Sequence, residues 1–288
     1  MSTARREGTL AAMLRTVTHR EWRSDVLVFV GYFATAKLAQ YVLYTLHTSP
    51  ALIWAPAGVA LAAVMLKGGR MWMPIMLAHA ASILTLNLDV PTANLVLSTF
   101  GHTIQPLIGA RLLRATRSDG TIHRTRDVLI IVGFAFIIAA IAPVISTMGQ
   151  LYFDTLRDGA WLTFSRTWAG GVLGIIIVTP FITGWYYSPN WPIPRKQRAE
   201  AVAAFGLLIL SIYALFWISV PALVFVFIFL LCITHFWIAF RFGSRVNTTA
   251  LMILAVLGIL GSIVAHPSAA PLNTQMFAHE LFIILLAT

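Results

Sequence analysis

Residues 127–149 read DVLIIVGFAFIIAAIAPVISTMG, and Asp127 at the start is the one charged residue of this run. A helix needs roughly 20 predominantly apolar residues to cross the hydrocarbon core of a bilayer, which is about 30 Å thick. The run has this length, and charged residues lie on both sides of it, with Arg126 before it and Asp154 after it. It therefore predicts a transmembrane helix.

Runs of this kind recur along the whole chain. Hydrophobic residues make up 59% of the sequence, charged residues make up 10%, and the mean hydropathy is +0.83. Soluble domains average about 25% charged residues, and no soluble core could hide so much apolar surface. The predicted fold class is all-α, a polytopic transmembrane helical bundle of about ten spans and no fewer than eight. The predicted spans are residues 25–46, 51–66, 71–88, 93–114, 127–149, 162–187, 199–218, 222–240, 246–265 and 275–288.

Positive charges alternate between the two sides of this bundle. The chain has 20 Lys and Arg residues, and all but Lys37, Arg157 and Arg166 fall in the N-terminal segment, in every second loop or, for Arg111 and Arg114, in the last turn of the span before such a loop. Because short loops rich in Lys and Arg stay in the cytoplasm, both termini are predicted to be cytoplasmic. We expect a multi-pass protein of the bacterial cytoplasmic (inner) membrane, whose basic loops meet anionic lipid headgroups. The net charge of +10 does not indicate nucleic-acid binding, because the cations are divided among separate short segments.

The chain is predicted to consist of two segments. Residues 1–24 form a basic cytoplasmic N-terminal segment without a signal peptide, and residues 25–288 form one membrane-embedded domain. The last predicted span, 275–288, supplies only about 21 Å of helix, so we expect it to continue to the cytoplasm, where an output domain would follow. The lone cysteine, Cys232, leaves no disulfide framework and no cysteine-based metal site.

Small residues and prolines mark where helices are expected to bend or to pack closely. Glycines at helical spacing allow two membrane helices to approach each other. Proline is tolerated inside membrane helices where neighbours bond the freed carbonyl groups, and Pro106, Pro143 and Pro180 lie inside predicted spans. The residues predicted to act in helix packing are Pro56 and Gly58 in the second span and Gly170, Gly171 and Gly174 in the sixth.

Three ionisable residues, Lys37, His79 and His102, lie near the middle of predicted spans. Leaving a charge at the bilayer centre costs about 3 kcal/mol or more, so residues of this kind are candidates for function. Gln105 lies one turn from His102. The four side chains are candidates for a cluster that binds a ligand or switches between two states. The alternative is a hydrogen-bonded network that only positions the helices.

The two histidines also raise the question of a cofactor. His79 and His102 lie at matching depths on consecutive antiparallel spans, as two axial ligands of haem or two ligands of a metal would. Their spacing matches no metal-binding signature. The main expectation is therefore a chain without a cofactor or a metal, and haem at His79 and His102 is the alternative.

A second polar pair is predicted nearer the outer surface. Arg166 in the sixth span and Glu280 in the tenth lie at similar depth. An ion pair between them would tie the last helix to the glycine-rich helix, and breaking one partner of a buried pair costs about 3 to 5 kcal/mol. The pair is a candidate switch, with a purely structural ion pair as the alternative.

Four segments combine small, aromatic and basic residues in a distinctive order. They are residues 53–63 (IWAPAGVALAA), 101–113 (GHTIQPLIGARLL), 168–180 (WAGGVLGIIIVTP) and 236–245 (FWIAFRFGSR). In this order and spacing they resemble the MASE family type 1, a membrane-associated sensor domain. The resemblance implies an integral-membrane sensory module that usually precedes a cytoplasmic histidine kinase, diguanylate cyclase or cyclic-di-GMP phosphodiesterase.

The chain departs from the pattern of that family at two places. It has His102 and Gln105 where the family often has Asn and Glu, and it has Gly170-Gly171 where the family often has Gly-Asp. If the acidic residues form the polar core of the family, this member has lost two of them. Its ligand or its coupling is then expected to differ.

Three classes of function remain. The first is a sensory module that perceives a ligand, a lipid or a partner protein and relays the signal through its last helix to an output domain or a partner signalling protein, with a homodimer as a further expectation. The second is a small-molecule transporter or channel, and the third is a haem- or metal-binding membrane redox subunit. The chain has no H-E-x-x-H, G-x-S-x-G or phosphate-binding-loop motif. We therefore expect no enzymatic activity of the chain alone, and we favour the sensor.

Overall fold

The described part of the chain is helical. The computed structural model describes residues 22–42, 53–86, 91–116, 125–156, 159–187, 193–217 and 221–265, and no strand occurs in these ranges. Five helices there, α5 to α9, are long and apolar enough to cross a membrane, which confirms an all-α membrane protein. The α-helices are α1 (22–42), α2 (Ala55–Lys67), α3 (Trp72–Leu84), α4 (Thr92–Ala115), α5 (Thr125–Tyr152), α6 (Ala160–Tyr187), α7 (Arg198–Trp217), α8 (Pro221–Phe242) and α9 (Ser244–Ala265).

Two parts of the topology prediction go beyond this result. The count of ten spans and the cytoplasmic position of both termini stay predictions. The predicted tenth span, 275–288, lies outside the described residues, as do residues 1–21 of the basic N-terminal segment.

Helices α2 and α3 are shorter than the spans predicted for them. Each has 13 residues, or about 20 Å of helix, against a hydrocarbon core of about 30 Å. Helix α2 begins at Ala55, and the backbone N–H of Trp54 just before it donates to the carbonyl oxygen of Gly170 on α6 at 2.8 Å. Pro56 then fits the first turn, where its missing N–H costs nothing. Irregular backbone is tolerated at membrane depth where it is buried in protein.

Two glycines end helices in a conformation that favours glycine. Gly68 follows α2 with a φ angle of +88°, and Gly243 separates α8 from α9 with a φ angle of +82°. Residues with a Cβ are strained at these angles. The N–H group of Gly68 donates to the carbonyl oxygen of Val64 at 2.9 Å and so bonds a carbonyl group that the helix end would leave unpaired.

Helix α6 lies between two hydrophobic cores. Its residues 170–180 are buried on every side, as expected for a helix that is apolar all round. Val172 and Ile175 belong to the core shared with α1 to α5, and Leu173 and Ile177 to the core shared mainly with α7 to α9. We call α1 to α5 the N-terminal half and α7 to α9 the C-terminal half; α6 joins them.

Candidate functional site

Two histidines lie face to face inside the N-terminal half. His79 on α3 and His102 on α4 stack with their ring centroids 4.2 Å apart and their planes 29° apart. Their exposed fractions are 2% and 9%. Helices α3 and α4 pack against each other, and this packing brings the two rings into contact.

His79 is hydrogen-bonded through both ring nitrogens. Nδ1 lies 3.0 Å from the hydroxyl oxygen of Tyr32 on α1, and Nε2 lies 3.0 Å from the hydroxyl oxygen of Ser98 on α4. A neutral imidazole offers one donor and one acceptor, and hydroxyl groups can serve as either. Both contacts are therefore satisfied by a neutral ring, which avoids the cost of a charge in the membrane interior.

Trp54 covers both histidine rings. Its ring centroid lies 6.5 Å from that of His79, in an edge-on arrangement, and 5.6 Å from that of His102. The backbone of the same residue is bonded to Gly170 of α6. Trp54 therefore connects the histidines to the central helix. We call Tyr32, Trp54, His79, Ser98 and His102 the histidine cluster.

Lys37 lies beside the histidine cluster. Its Nζ donates to the carbonyl oxygen of Ser82 at 3.1 Å and lies 5.8 Å from the ring centroid of Phe33. Ser82 is in the last turn of α3, so the cation meets the negative end of the helix dipole. The hydroxyl group of Ser82 donates to the carbonyl oxygen of His79 at 2.7 Å. Lys37 is thus linked to His79 indirectly, by two hydrogen bonds that share Ser82.

Gln105 points to a different helix. It is 3% exposed, and its Oε1 accepts a hydrogen bond from the backbone N–H of Ala142 at 3.1 Å. Ala142 precedes Pro143 inside α5. Gln105 therefore links α4 to α5, while His102, one turn away, packs against α3.

The predicted pair of Arg166 and Glu280 stays a prediction. Arg166 is half-buried in the N-terminal part of α6. Glu280 lies outside the described residues, so the structure does not place it relative to Arg166.

The predicted packing glycines lie where α6 meets α2 and α5. A Cβ at Gly174 would overlap the carbonyl group of Trp54, and a Cβ at Gly58 would overlap the carbonyl group of Gly174. The hydroxyl group of Thr179 donates to the carbonyl oxygen of Gly58 at 3.1 Å. The α2 and α6 backbones can therefore approach this closely only because these residues lack side chains.

The remaining packing candidates lie around the same contact. A Cβ at Gly171 would lie 3.3 Å from the Cβ of Ala139 on α5, so α5 also approaches α6 at a glycine. The carbonyl group of Gly170 accepts the bond from Trp54, and Pro56 is buried in the first turn of α2. Helix α6 is thus fixed against α2 and α5, and of the histidine cluster it contacts Trp54.

The histidine cluster does not have the geometry of metal ligation. A metal lies about 2 Å from each coordinating nitrogen, so two ligating rings must direct their lone pairs at one point. His79 and His102 instead stack face to face, and hydroxyl groups occupy both nitrogens of His79. Among the described residues, no group of three or more His, Cys, Asp or Glu side chains is placed to hold a metal ion.

Four residues of this region, Tyr32, Trp54, Ser82 and Ser98, were not among the predicted site residues. Ser98 lies four residues before His102, and Ser82 lies three residues after His79, so each shares a helix face with a histidine. That spacing is a usable signal. Tyr32 gives no such signal, because its bond to His79 joins residues 47 positions apart.

A family match covers all the residues of the histidine cluster and of the glycine contacts. The family MASE1 matches residues 25–288. No curated protein and no solved structure matches the chain. The matched residues include the histidine cluster and the glycine contacts of α6.

Proposed function

Because the chain belongs to the MASE1 family, a family of membrane sensory domains, we propose that it perceives a signal within the membrane and relays it to a cytoplasmic output domain or partner signalling protein. The match confirms the resemblance carried by the four sequence segments. The family is sensory rather than catalytic, in keeping with a chain that has no activity of its own. The proposed signal is a ligand, a lipid or a partner protein, and the proposed output is a histidine kinase or a cyclic-di-GMP enzyme.

The histidine cluster is the observation that supports this proposal. Polar groups at membrane depth need bonding partners inside the protein. Here the side chains of Tyr32, His79 and Ser98 form those bonds between three different helices, α1, α3 and α4. The bonds change whenever these helices move relative to one another. A signal that binds one arrangement more tightly than another shifts the bundle by its difference in affinity for the two.

Trp54 gives the proposed relay a physical route. It contacts both histidine rings, and its backbone is bonded to Gly170 of α6. Helix α6 packs in turn against α9, which precedes the predicted tenth span. We propose that rearrangement of the histidine cluster displaces Trp54, that α6 and α9 follow, and that the last helix carries the movement to the output domain.

The output of single-residue variants tests this proposal. His102→Leu and Lys37→Met each remove a polar group while keeping most of the side-chain volume, so expression and thermal stability should stay near wild type. The activity of a diguanylate cyclase or kinase domain fused after Thr288 should change by about fivefold or more, which is the range of typical allosteric coupling. The control is Ser211→Ala, which removes a buried hydroxyl group bonded within α7 and should leave the output unchanged.

Other outcomes would favour the other readings. Equal losses of folding and output in His102→Leu and Lys37→Met would make the polar residues structural. Solute uptake into proteoliposomes that His102→Leu abolishes would favour a transporter or channel. A haem absorption band in the purified chain that is lost in His102→Leu would favour a redox subunit.

The proposed orientation has a separate test. We propose ten spans in the bacterial inner membrane with both termini in the cytoplasm, because the Lys- and Arg-rich loops then lie on one side. A reporter fused after Gly120 or Arg195 should report the cytoplasm, and one fused after Asp154 or Pro267 the outside. An outside signal at Arg195 would contradict the ten-span topology.

A further inference from the structure

A small apolar groove lies between α1 and α9. It has a volume of about 170 Å³, and residues of α1, α6 and α9 and around the start of α2 line it. Ile177 and Val178 of α6 are buried and form its floor. Leu38 on α1 and Val256 on α9 are 59% and 44% exposed and form its two rims. The groove is therefore open to the outside of the bundle between α1 and α9.

The volume of the groove suits the side chains of a neighbouring helix better than a separate ligand. Small-molecule sites usually measure about 300 to 1,000 Å³, whereas a cavity of about 150 Å³ holds one benzene ring. The lining is apolar apart from Thr35, whose hydroxyl group already donates to the carbonyl oxygen of Gly31 at 2.7 Å. The groove thus has room for one or two apolar side chains.

Helix α9 has one exposed face, and that face adjoins the groove. The helix packs against α6, α7 and α8. Within residues 244–261, the exposed residues are Val256 and Leu260, which lie one turn apart on the same face. Val256 also lines the groove. A further helix beside α9 therefore has the face of Val256 and Leu260 to pack against, next to the groove.

The next predicted span follows α9 directly in the sequence. Residues 275–288, the predicted tenth span, lie outside the described residues, and ten of these 14 residues are apolar. Helices joined by a short connection are usually neighbours. Residues 266–274 separate this span from α9. Nine residues reach up to about 30 Å when extended, whereas the axes of packed helices are about 8 to 10 Å apart. The connection is therefore long enough to bring the span to the groove.

We propose that the predicted tenth span packs into this groove, against α1 and α9. This inference rests on the proposed ten-span topology, in which the span returns from the outside antiparallel to α9. The groove lining on α9 extends from Met252 to Ile259, toward the end of α9 that faces the outside in this topology. The first turns of the span then fill the groove.

This packing gives the last helix a direct contact next to the histidine cluster. Ile53 and Ala55 line the groove, and they are the two chain neighbours of Trp54. The ring of Trp54 contacts both histidine rings. A displacement of Trp54 moves these two groove residues with it. The last helix then receives the movement from the groove itself, in addition to the route through α6 and α9.

Cysteine cross-linking of the full chain in isolated membranes tests the packing. Cys232→Ala removes the lone cysteine, and Val256→Cys is then combined with one of four substitutions in the span: Phe282→Cys, Ile283→Cys, Ile284→Cys or Leu285→Cys. Four consecutive positions, about 100° apart around a helix, cover all of its sides, so the test does not depend on how the span is rotated. A protease site after Pro267 divides the chain, and a disulfide formed on oxidation keeps both parts in one gel band. We expect at least one of the four positions to cross-link to Val256→Cys.

The two rims and an unrelated helix provide the comparison. Leu38→Cys on the opposite rim should also cross-link to one of the four positions, and it serves if Val256→Cys does not fold. Phe229→Cys, 65% exposed on α8, is the control and should not cross-link. Cross-links to Phe229→Cys alone would place the span against α8 and overturn the proposal. A cross-linked dimer in the uncut chain would assign the groove to a second copy and would also overturn it.

Filling the groove provides a second measurement. Val256→Trp places a larger ring at the rim, so the cross-link between Leu38→Cys and the span should be lost. Val202→Trp, at a position of α7 that is 73% exposed, is the control and should keep the cross-link. An unchanged cross-link in Val256→Trp would mean that the span lies near α1 without entering the groove, and would overturn the proposal.

The reporter fused after Pro267 separates this proposal from the topology on which it rests. An outside signal there, with no cross-link to either rim, would leave the groove to lipid and overturn the packing alone. A cytoplasmic signal there would contradict the ten-span topology, and the proposed packing with it. The cross-links do not depend on the activity of an output domain, so they are read independently of the sensory role.

Discussion

The buried hydroxyl groups of Ser211 and Thr234 bond differently from the buried ring of His79. In the C-terminal half, the hydroxyl groups of Ser211 and Thr234 each donate to the carbonyl oxygen four residues earlier in their own helix, at 2.7 Å. In the N-terminal half, His79 bonds to Tyr32 on α1 and to Ser98 on α4. A bond within one helix survives any movement of that helix as a whole, whereas a bond between helices does not.

This difference gives the histidine cluster a mechanical role that the hydroxyl groups of Ser211 and Thr234 do not have. Side-chain bonds between membrane helices average about 0.6 kcal/mol and reach about 1.7 kcal/mol, so a few of them can set the balance between two arrangements. The N-terminal half has such bonds around the histidine cluster, and α6 joins it to the C-terminal half. We expect changes at the junction and at the cluster to have large effects, and changes to bonds within a helix to have small ones.

The largest effect is expected at the junction between α2 and α6. A Cβ at Gly174 would overlap the carbonyl group of Trp54, and backbone cannot move aside as a flexible side chain does. Gly174→Ala should therefore lower the free energy of unfolding by about 3 kcal/mol, the upper part of the usual range for overpacking. Thermal unfolding in detergent, followed by circular dichroism, measures the change.

A matched glycine provides the control for this substitution. Gly206 lies in α7, and a Cβ placed there meets no atom within 4 Å. Gly206→Ala should leave stability unchanged or raise it by up to about 1 kcal/mol, because alanine is the better helix former. Equal stability of Gly174→Ala and Gly206→Ala would show that the close approach of α2 and α6 is not needed.

The next effect is expected inside the histidine cluster. His79→Leu leaves the buried hydroxyl group of Tyr32 and the half-buried hydroxyl group of Ser98 without their partner, which should cost about 2 kcal/mol. Thr234→Val in the C-terminal half removes a hydroxyl group bonded only within α8, and should change stability little. Chemical denaturation of both variants in detergent measures the difference, and a cost of Thr234→Val as large as that of His79→Leu would break the contrast between the halves.

A double variant tests whether the cost arises from the bond itself. Tyr32→Phe removes the hydroxyl group that faces Nδ1 of His79. Once that group is absent, His79→Leu strands one hydroxyl group fewer, so the cost of Tyr32→Phe with His79→Leu should be less than the sum of the two single costs. Strict additivity would mean that the two residues contribute independently.

The sequence predicted that the helices exist and that His79 and His102 lie close together. It predicted the lengths of the helices and the bonding partners of the histidines less well. His79 and His102 were expected at one depth on adjacent antiparallel helices, and such helices bring such residues together. The predicted span began too early because the apolar run continues before Pro56, although a proline in the first turn is a signal for a helix start. Just before that helix the backbone of Trp54 bonds to Gly170, more than 100 positions away in the sequence, and helical spacing does not predict such a contact.

Gln105 shows why helical spacing alone does not decide which neighbouring helix a candidate contacts. It follows His102 by three residues, and three residues leave its side chain about 60° around the helix from that of His102. In a bundle of closely packed helices, that angle is enough to face a different neighbour. The sequence placed both residues in one cluster, and the structure directs His102 to α3 and Gln105 to α5.

The smallest expected effect comes from this same residue, and it isolates one bond between helices. Gln105→Leu keeps a side chain of similar size but removes the acceptor for the backbone N–H of Ala142. One bond of this kind is worth about 0.6 to 1.7 kcal/mol, so we expect a loss of about 1 kcal/mol. Gln105→Glu keeps an acceptor oxygen, and a buried carboxyl group is neutral in apolar surroundings, so its loss of stability should be smaller.

Thermal unfolding of the two variants beside Ser211→Ala, which removes a bond within α7, measures the difference. Equal losses in Gln105→Leu and Gln105→Glu would mean that the link between α4 and α5 contributes nothing, and the contrast between the halves would then rest on the histidine cluster.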